Sequence, residues 1–166
     1  MNRLAISLNK SSLAAAGNGW VRLYKLQKQS SKDLNPLVFK EHTDNVTGIA
    51  FQAETRWIAT SSEDRTVKIW DVKTLEVQRA YDHGSAVNDV VIHPNQGEVI
   101  SCDRAGQVKI WDLKENENIA TLAPEEDISA QSLTIAADGS MLAMGNSKVF
   151  CRISWVDGRE TFMFGR

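Results

Sequence analysis

Apolar and polar residues alternate over short stretches along the chain, a period of two that predicts β-strands. Val46–Phe51, Trp57–Ser61 and Thr66–Trp70 follow one another with short connections between them. In the third stretch Thr66, Lys68 and Trp70 fall on one side, and Val67 and Ile69 on the other. Ser62-Glu63-Asp64-Arg65 supplies a tight-turn signal before it. Leu75–Ala80 predicts a fourth, outer strand. No stretch carries a long 3.6-residue apolar period bounded by caps, so no long helix is expected.

The same order recurs. Val87–Ile92, Glu98–Ser101, Gln107–Trp111 and Ile119–Leu122 repeat it, with Pro94-Asn95-Gln96-Gly97 as the first turn. The two third strands share Val-Lys-Ile-Trp-Asp, and their tryptophans, Trp70 and Trp111, are 41 positions apart. Weaker copies flank this pair. Leu4–Leu8, Leu13–Ala16, Val21–Tyr24 and Pro36–Phe39 precede it, with Gly17-Asn18-Gly19 as a hairpin turn. Ser132–Ile135 and Met141–Met144 follow it, joined by Ala137-Asp138-Gly139-Ser140. Lys25–Asn35 is polar and reads as an exposed loop.

A repeat of this length, with four strands per period, is the signature of a propeller blade of roughly 40–45 residues. One small sheet cannot bury both of its faces, so neighbouring sheets must stack. The expected fold is therefore all-β: about three to four four-stranded antiparallel blades, at about 1–40, 41–81, 82–123 and 124–155. Such propellers usually have about 4–8 blades.

Composition narrows the function classes. The 166 residues carry 19 Lys+Arg and 21 Asp+Glu, a net charge of −2, which argues against a general polyanion binder. The charge is uneven: residues 1–40 hold 7 basic and 1 acidic residue, and 41–166 hold 12 basic and 20 acidic. Such asymmetry can orient a partner electrostatically. Cys102 and Cys151 are too few for a disulfide framework or metal site and read as reduced thiols. His42, His83 and His93 lack metal-ligand spacing, and no phosphate-binding glycine loop is present, so no metal or cofactor is expected. Asn9 and Lys10 interrupt the N-terminal apolar run before it reaches signal-peptide length. Glu125-Glu126-Asp127 reads as solvated surface.

His42, Thr60, Asp64 and the pair Trp70-Asp71 resemble the signature of the WD-repeat family. The resemblance implies a partial WD-repeat β-propeller, its ring not closed. In that family the His, a Ser/Thr, the turn Asp and the Trp form a buried hydrogen-bond network. Carried over, the network takes His42, Thr60 or Ser62, Asp64 and Trp70. Thr60 and Ser62 project on the same side of a strand, so the sequence leaves both open. In the next repeat His83 and Trp111 recur, but Ala105 stands where Asp64 would be. That network is expected to be incomplete, with Ser101 and Asp103 as substitutes. Ser/Thr, His and Asp are also the residue types of a hydrolytic triad, which needs an exposed nucleophile. A motif that recurs with losses fits a structural role better, and no enzyme is expected.

Further stretches narrow the resemblance. Asn2-Arg3-Leu4, Leu13-Ala14-Ala15-Ala16-Gly17, Val21-Arg22-Leu23-Tyr24, His42-Thr43-Asp44-Asn45-Val46, Ser62-Glu63-Asp64 and Ile92-His93-Pro94-Asn95-Gln96 are similar to the Lst-eight (G-protein-beta-subunit-like) family. The match runs from about Asn2 to about Ser147. It implies a rigid, non-enzymatic subunit that sits on the kinase domain of TOR (target of rapamycin) and supports its active conformation in both TOR complexes. It also implies a cytoplasmic location, with association to endomembranes through the complex. Nucleic-acid binding and direct membrane insertion are not expected. By propeller geometry Asn45, Glu63, Arg65, Ser85 and Arg104 lie on one face and are candidate partner contacts.

The pattern departs from the family near Lys148. Trp155 comes one position late, and 149–166 reads as a divergent tail after a partial propeller at 1–148. About four blade units stand where the family has about seven. The expectation is an incomplete product with unpaired edges and an apolar end face, poorly soluble or oligomeric alone. Two other readings compete with the scaffold role: a non-functional or dominant-negative fragment, and a WD-repeat adaptor of another assembly.

Overall fold

A computed structural model describes residues 2–26, 35–53, 56–95, 97–122, 129–146, 150–156 and 159–165, with the backbone alone for 150–156 and 159–165. Most of the Lys25–Asn35 loop, Gln96 and the Glu125-Glu126-Asp127 cluster lie outside the described residues.

Among the described residues, sixteen strands form four separate four-stranded antiparallel sheets, each in simple sequential order. The first holds β1 (Arg3–Ile6), β2 (Ser12–Ala16), β3 (Val21–Lys25) and β4 (Leu37–Phe39). The second holds β5 (Val46–Phe51), β6 (Trp57–Ser62), β7 (Thr66–Asp71) and β8 (Val77–Asp82). The third holds β9 (Val87–Ile92), β10 (Glu98–Asp103), β11 (Val108–Asp112) and β12 (Glu117–Leu122). The fourth holds β13 (Ala130–Ile135), β14 (Met141–Asn146), β15 (Phe150–Val156) and β16 (Arg159–Gly165).

The sheets are blades of an unclosed ring. The inner strands β1, β5, β9 and β13 stand side by side, and adjacent sheets bury the surfaces that face each other. Three apolar clusters mark the three junctions. Ala14, Ala16, Leu23 and Phe39 of the first blade meet Val46, Ile49, Ile58 and Trp70 of the second. Ala59, Val67, Ile69 and Tyr81 of the second meet Val87, Val90, Val99 and Trp111 of the third. Ile100, Cys102, Val108 and Ile110 of the third meet Ala130, Leu133, Leu142 and Met144 of the fourth. The two sides of β7 thus face different neighbours: Trp70 looks back to the first blade, and Val67 and Ile69 look forward to the third.

The segment that the sequence pattern sets apart at 149–166 pairs with the rest. β15 runs antiparallel to β14, and β16 to β15, so the fourth sheet continues through that boundary. Register places the tryptophan two positions late, one more than the sequence spacing suggests. Val99 pairs with Trp111 and Ile58 with Trp70, but Leu142 pairs with Ile153. Ile153 therefore holds the tryptophan position, and Trp155 lies two residues beyond it.

Gly17-Asn18-Gly19 makes the β2–β3 turn, closed by the Gly17 amide on the Trp20 carbonyl at 3.0 Å. Gly19 has a φ of 69°, and a Cβ there would stand 2.8 Å from the His42 carbonyl oxygen. Only glycine lets the turn approach the second blade so closely. There the Gly19 amide donates to Asp44 O at 3.0 Å, and the Val46 amide to Gly17 O at 3.1 Å.

Candidate functional site

His42 lies in the loop between β4 and β5, Thr60 on β6, Asp64 in the β6–β7 turn and Trp70 on β7. Trp70 Nε1 donates to Thr60 Oγ1 at 2.8 Å, and Thr60 Oγ1 lies 2.7 Å from His42 Nε2. His42 Nδ1 lies 2.8 Å from Asp64 Oδ2. A carboxylate only accepts, so Nδ1 carries the imidazole proton and Nε2 accepts from the threonine hydroxyl. The chain of donors runs one way, Trp70 to Thr60 to His42 to Asp64. The Thr66 hydroxyl and amide donate to Asp64 Oδ1 at 2.6 and 3.0 Å, and the Thr43 amide to Oδ2 at 3.0 Å. The structure thereby separates Thr60 from Ser62. Ser62 Oγ donates to Asp44 O at 3.2 Å and accepts from the Asp64 amide at 3.1 Å, shaping the turn instead.

The side chains of His42 and Asp64 are 1% and 6% exposed. Burial lowers the His42 pKa and outweighs the opposing pull of Asp64, so the ring is neutral at pH 7. Burial pushes Asp64 upward, but hydrogen bonds from Thr66 and His42 overcome it and leave its pKa below the usual value. A hydrolytic triad needs an exposed nucleophile, whereas the Thr60 hydroxyl is buried beneath Trp70 with its partners already in place. These groups hold a loop, a turn and two strands together.

The third blade builds the same network with one part moved. His83 Nε2 lies 2.8 Å from Ser101 Oγ, which accepts from Trp111 Nε1 at 2.9 Å. The sequence leads one to expect a gap at Ala105. The structure fills it with Asp103, whose Oδ2 lies 3.2 Å from His83 Nδ1 and whose Oδ1 accepts from the Gln107 amide at 2.9 Å. Asp103 stands at the position of Ser62, at the end of the second strand, and its carboxylate reaches the ring from there. Burial again lowers the histidine pKa.

The two buried histidines set a pH dependence. Their folded pKa values lie below the ordinary 6.5, so below that pH the unfolded chain binds more protons. Stability is unaffected well above pH 6.5 and falls as pH drops from there toward the folded values. The slope reaches about 1.4 kcal/mol per pH unit for each histidine. Burial raises the Asp89 pKa and gives the opposite sign, so the test is a difference. Thermal melts from about pH 7 to pH 5.5 should show a shallower loss for His83→Gln than for the parent. Equal slopes would contradict this account.

An aromatic partner from the preceding blade covers each tryptophan. Phe39 meets Trp70 edge-on at 5.3 Å between centroids, and Tyr81 stacks on Trp111 at 4.6 Å. Cys102 is buried, burial pushes its thiol pKa far up, and Sγ lies 3.7 Å from Ala130 O. Among the described residues, no three His, Cys, Asp or Glu side chains cluster to hold a metal ion.

The candidate partner residues lie on the turn face, and three of them are linked. Asn2 Nδ2 donates to Asn45 Oδ1 at 3.5 Å, Asn45 Nδ2 to Glu63 Oε2 at 2.8 Å, and Arg104 pairs with Glu63 Oε1. This ladder spans the first three blades. Arg65 is exposed at a φ of 71°, and its carbonyl accepts from the His83 amide at 2.8 Å. Ser85 is half-buried in the loop entering β9.

A second constellation escaped the sequence reading. Arg3, Gly48, Asp89 and Ser132 occupy equivalent register positions on the four inner strands, opposite Ala16, Ser61, Cys102 and Gly145. Arg3 Nη2 reaches over the second blade to Asp89, 3.2 Å from Oδ2 and 3.4 Å from Oδ1. Gly48 makes room, since a Cβ there would stand 2.8 Å from Asp89 Oδ1. Asp89 Oδ2 also accepts from the Leu133 amide of the fourth blade at 3.0 Å, and Oδ1 from the Val90 amide at 3.0 Å. One buried carboxylate thus ties the first, third and fourth blades. The only sequence signal for it is an aspartate inside the apolar run Val87–Ile92.

A family model described as "WD domain, G-beta repeat" matches residues 35–71 and 75–112, each the outer strand of one blade followed by the first three strands of the next. The crystal structure of the Cps50 (Swd1) β-propeller domain of Myceliophteria thermophila is similar in fold, with a TM-score of 0.78 and 18% identity over 91% of this chain and 51% of that one. The chain thus holds two matched WD repeats within a β-propeller fold. In particular it resembles the LST8 subunits of target of rapamycin complexes. It is 54% identical over 153 residues to the target of rapamycin complex subunit wat1 of Schizosaccharomyces pombe, covering 92% of this chain and 48% of the relative. It is 51% identical to LST8 of Saccharomyces cerevisiae and 36% identical to LST8 of Bos taurus, covering 92% of this chain and 50% and 47% of those relatives. The chain spans about half the length of these relatives.

Proposed function

We propose that the chain is a non-enzymatic scaffold subunit of TOR complexes that binds and stabilises the kinase domain. The observation that carries this reading is the 54% identity, over 92% of the chain, to a TOR complex subunit. The physical argument agrees with it. The His-Asp networks fix the turns, the Asn2–Asn45–Glu63–Arg104 ladder joins three blades across them, and Arg65 projects from that face. A rigid face binds without ordering itself first, which lowers the entropic cost of association. The chain then works in the cytoplasm, reaching endomembranes through the complex.

Purified TOR kinase domain should be captured by the 166-residue chain, and Arg65→Glu should weaken capture about tenfold or more with the melt unchanged. No capture, or capture indifferent to Arg65→Glu, would remove the reading. The half-length match supports a second reading, a dominant-negative fragment. In that case the chain binds the kinase domain but lowers TOR activity when added to intact complexes.

A further inference from the structure

Among the described residues, four other than glycine hold a left-handed backbone: Lys10, Arg65, Leu75 and Asn116. A side chain makes that conformation costly, so each case calls for a reason. Leu75 packs on the apolar cluster between the first two blades. Asparagine tolerates the conformation. Arg65 has neither reason. Its φ is 71°, and register places it level with Gly19 and Gly106 of the flanking blades, at 69° and 84°. Gly106 closes its turn as Arg65 does, with its amide on the carbonyl three residues back. The turn itself therefore needs no side chain at this place.

The other arginines with described side chains are engaged. Arg3 pairs with Asp89, Arg56 with Asp71 and Arg104 with Glu63. Arg22 lies over the Trp20 ring, and Arg79 donates to Gln78 O at 2.9 Å. Arg65 is exposed, and its guanidinium has no partner among the described residues. The neighbouring Asp64 turns its carboxylate inward to His42, Thr43 and Thr66. The Arg65 backbone, by contrast, is fixed at both ends: its amide donates to Ser62 O at 3.2 Å, and its carbonyl accepts from the His83 amide at 2.8 Å. Next to His83 the surface is bare, since a Cβ on Gly84 would meet nothing within 4 Å. A fixed base, an unengaged planar fork and open surface beside it suit a carboxylate, which arginine holds through two parallel N–H bonds. Residues 41–166 carry 20 acidic and 12 basic residues, which opposes a polyanion but admits a single carboxylate.

We propose that Arg65 clasps an aspartate or glutamate side chain of the partner protein and so determines which partner surface is accepted. The contact rests on the scaffold role proposed above and adds its chemistry. The turn holds the arginine out at a cost to its own backbone, and the partner's carboxylate is what the side chain is held out for.

The test is the dissociation constant of the 166-residue chain for purified TOR kinase domain. Arg65→Gly should raise it about tenfold or more, while the melting temperature stays at or above the parent's because the turn is relieved. Arg65→Lys keeps the charge without the fork and should still raise it about threefold or more. Lys10→Gly is the matched control. Lys10 is exposed, has a φ of 56°, and sits in the β1–β2 turn at the opposite end of the blades. Its replacement relieves a turn and removes one positive charge, and should leave the dissociation constant unchanged. Among alanine replacements of exposed Asp and Glu residues on the kinase domain, one should weaken binding to the parent and not to Arg65→Gly. If Arg65→Gly and Arg65→Lys bind as the parent does while Arg65→Glu is weakened, the carboxylate contact is overturned and the scaffold role stands. Equal weakening by Lys10→Gly would also overturn the contact. A parent chain that binds no kinase domain would overturn both.

Discussion

Asp89→Ala is expected to lower the melting temperature by about 5–15 °C, from a loss of about 2–4 kcal/mol. The cost comes from the groups left behind. The Leu133 amide donates to Asp89 Oδ2 at 3.0 Å in a buried setting, and the Val90 amide to Oδ1 at the same distance. Stranding buried donors costs about 1–3 kcal/mol each. The ion pair itself adds little, since the Arg3 side chain is 47% exposed and solvent screens it. Burial holds the Asp89 pKa above its ordinary value despite Arg3, so the charge is a burden and the hydrogen bonds are the benefit. Asp89→Asn, which keeps one acceptor and drops the charge, should therefore lose less than half as much. Arg3→Ala should lose less than about 1 kcal/mol. An Asp89→Ala melt within about 1 °C of the parent would refute the clasp.

His42→Ala is the second large effect, expected at about 2–4 kcal/mol. It leaves the Thr60 hydroxyl only the distant Lys68 carbonyl, at 3.4 Å, as an acceptor and removes the ring that Asp64 Oδ2 accepts from at 2.8 Å. Thr60→Val should cost about as much, because Trp70 Nε1 loses its buried acceptor. The double variant should cost clearly less than the sum, as one network is broken in both. Thr60→Ser should be mild, since Ser101 does the same work in the third blade. The third blade also suggests a rescue. Asp64→Ala should be destabilising, and adding Ser62→Asp should recover part of the loss by placing a carboxylate where Asp103 stands. Additive single and double variants, measured by urea denaturation, would rule out a shared network.

The second and third blades were legible because their middle strands sit between two buried surfaces. Val67, Ile69 and Trp70 all pack, on opposite sides, so the shared Val-Lys-Ile-Trp-Asp reports a constraint felt at every position of β7. The network in the second blade was legible because its parts keep fixed spacing from Trp70. Two features were not. Asp103 was expected only as a substitute, because an alignment by position cannot show that a carboxylate at the strand end reaches the same ring nitrogen. The strand β16 lies beyond the last blade unit expected at 124–155, in the stretch read as a divergent tail, because pairing through the backbone needs no residue of the repeat pattern.

The sequence by itself determined the unit, a four-stranded sheet repeated about every 41 residues with a histidine, a hydroxyl and a tryptophan at set places. Those are local properties, written in alternation and turn chemistry, and the second and third blades each carry a copy of the full set. The tertiary structure decided what passes between blades: the reach of Arg3 over Gly48 to Asp89 and the ladder from Asn2 to Arg104. These depend on which residues of different repeats share a level across neighbouring sheets. That level is set by strand register and ring geometry, which no single repeat encodes.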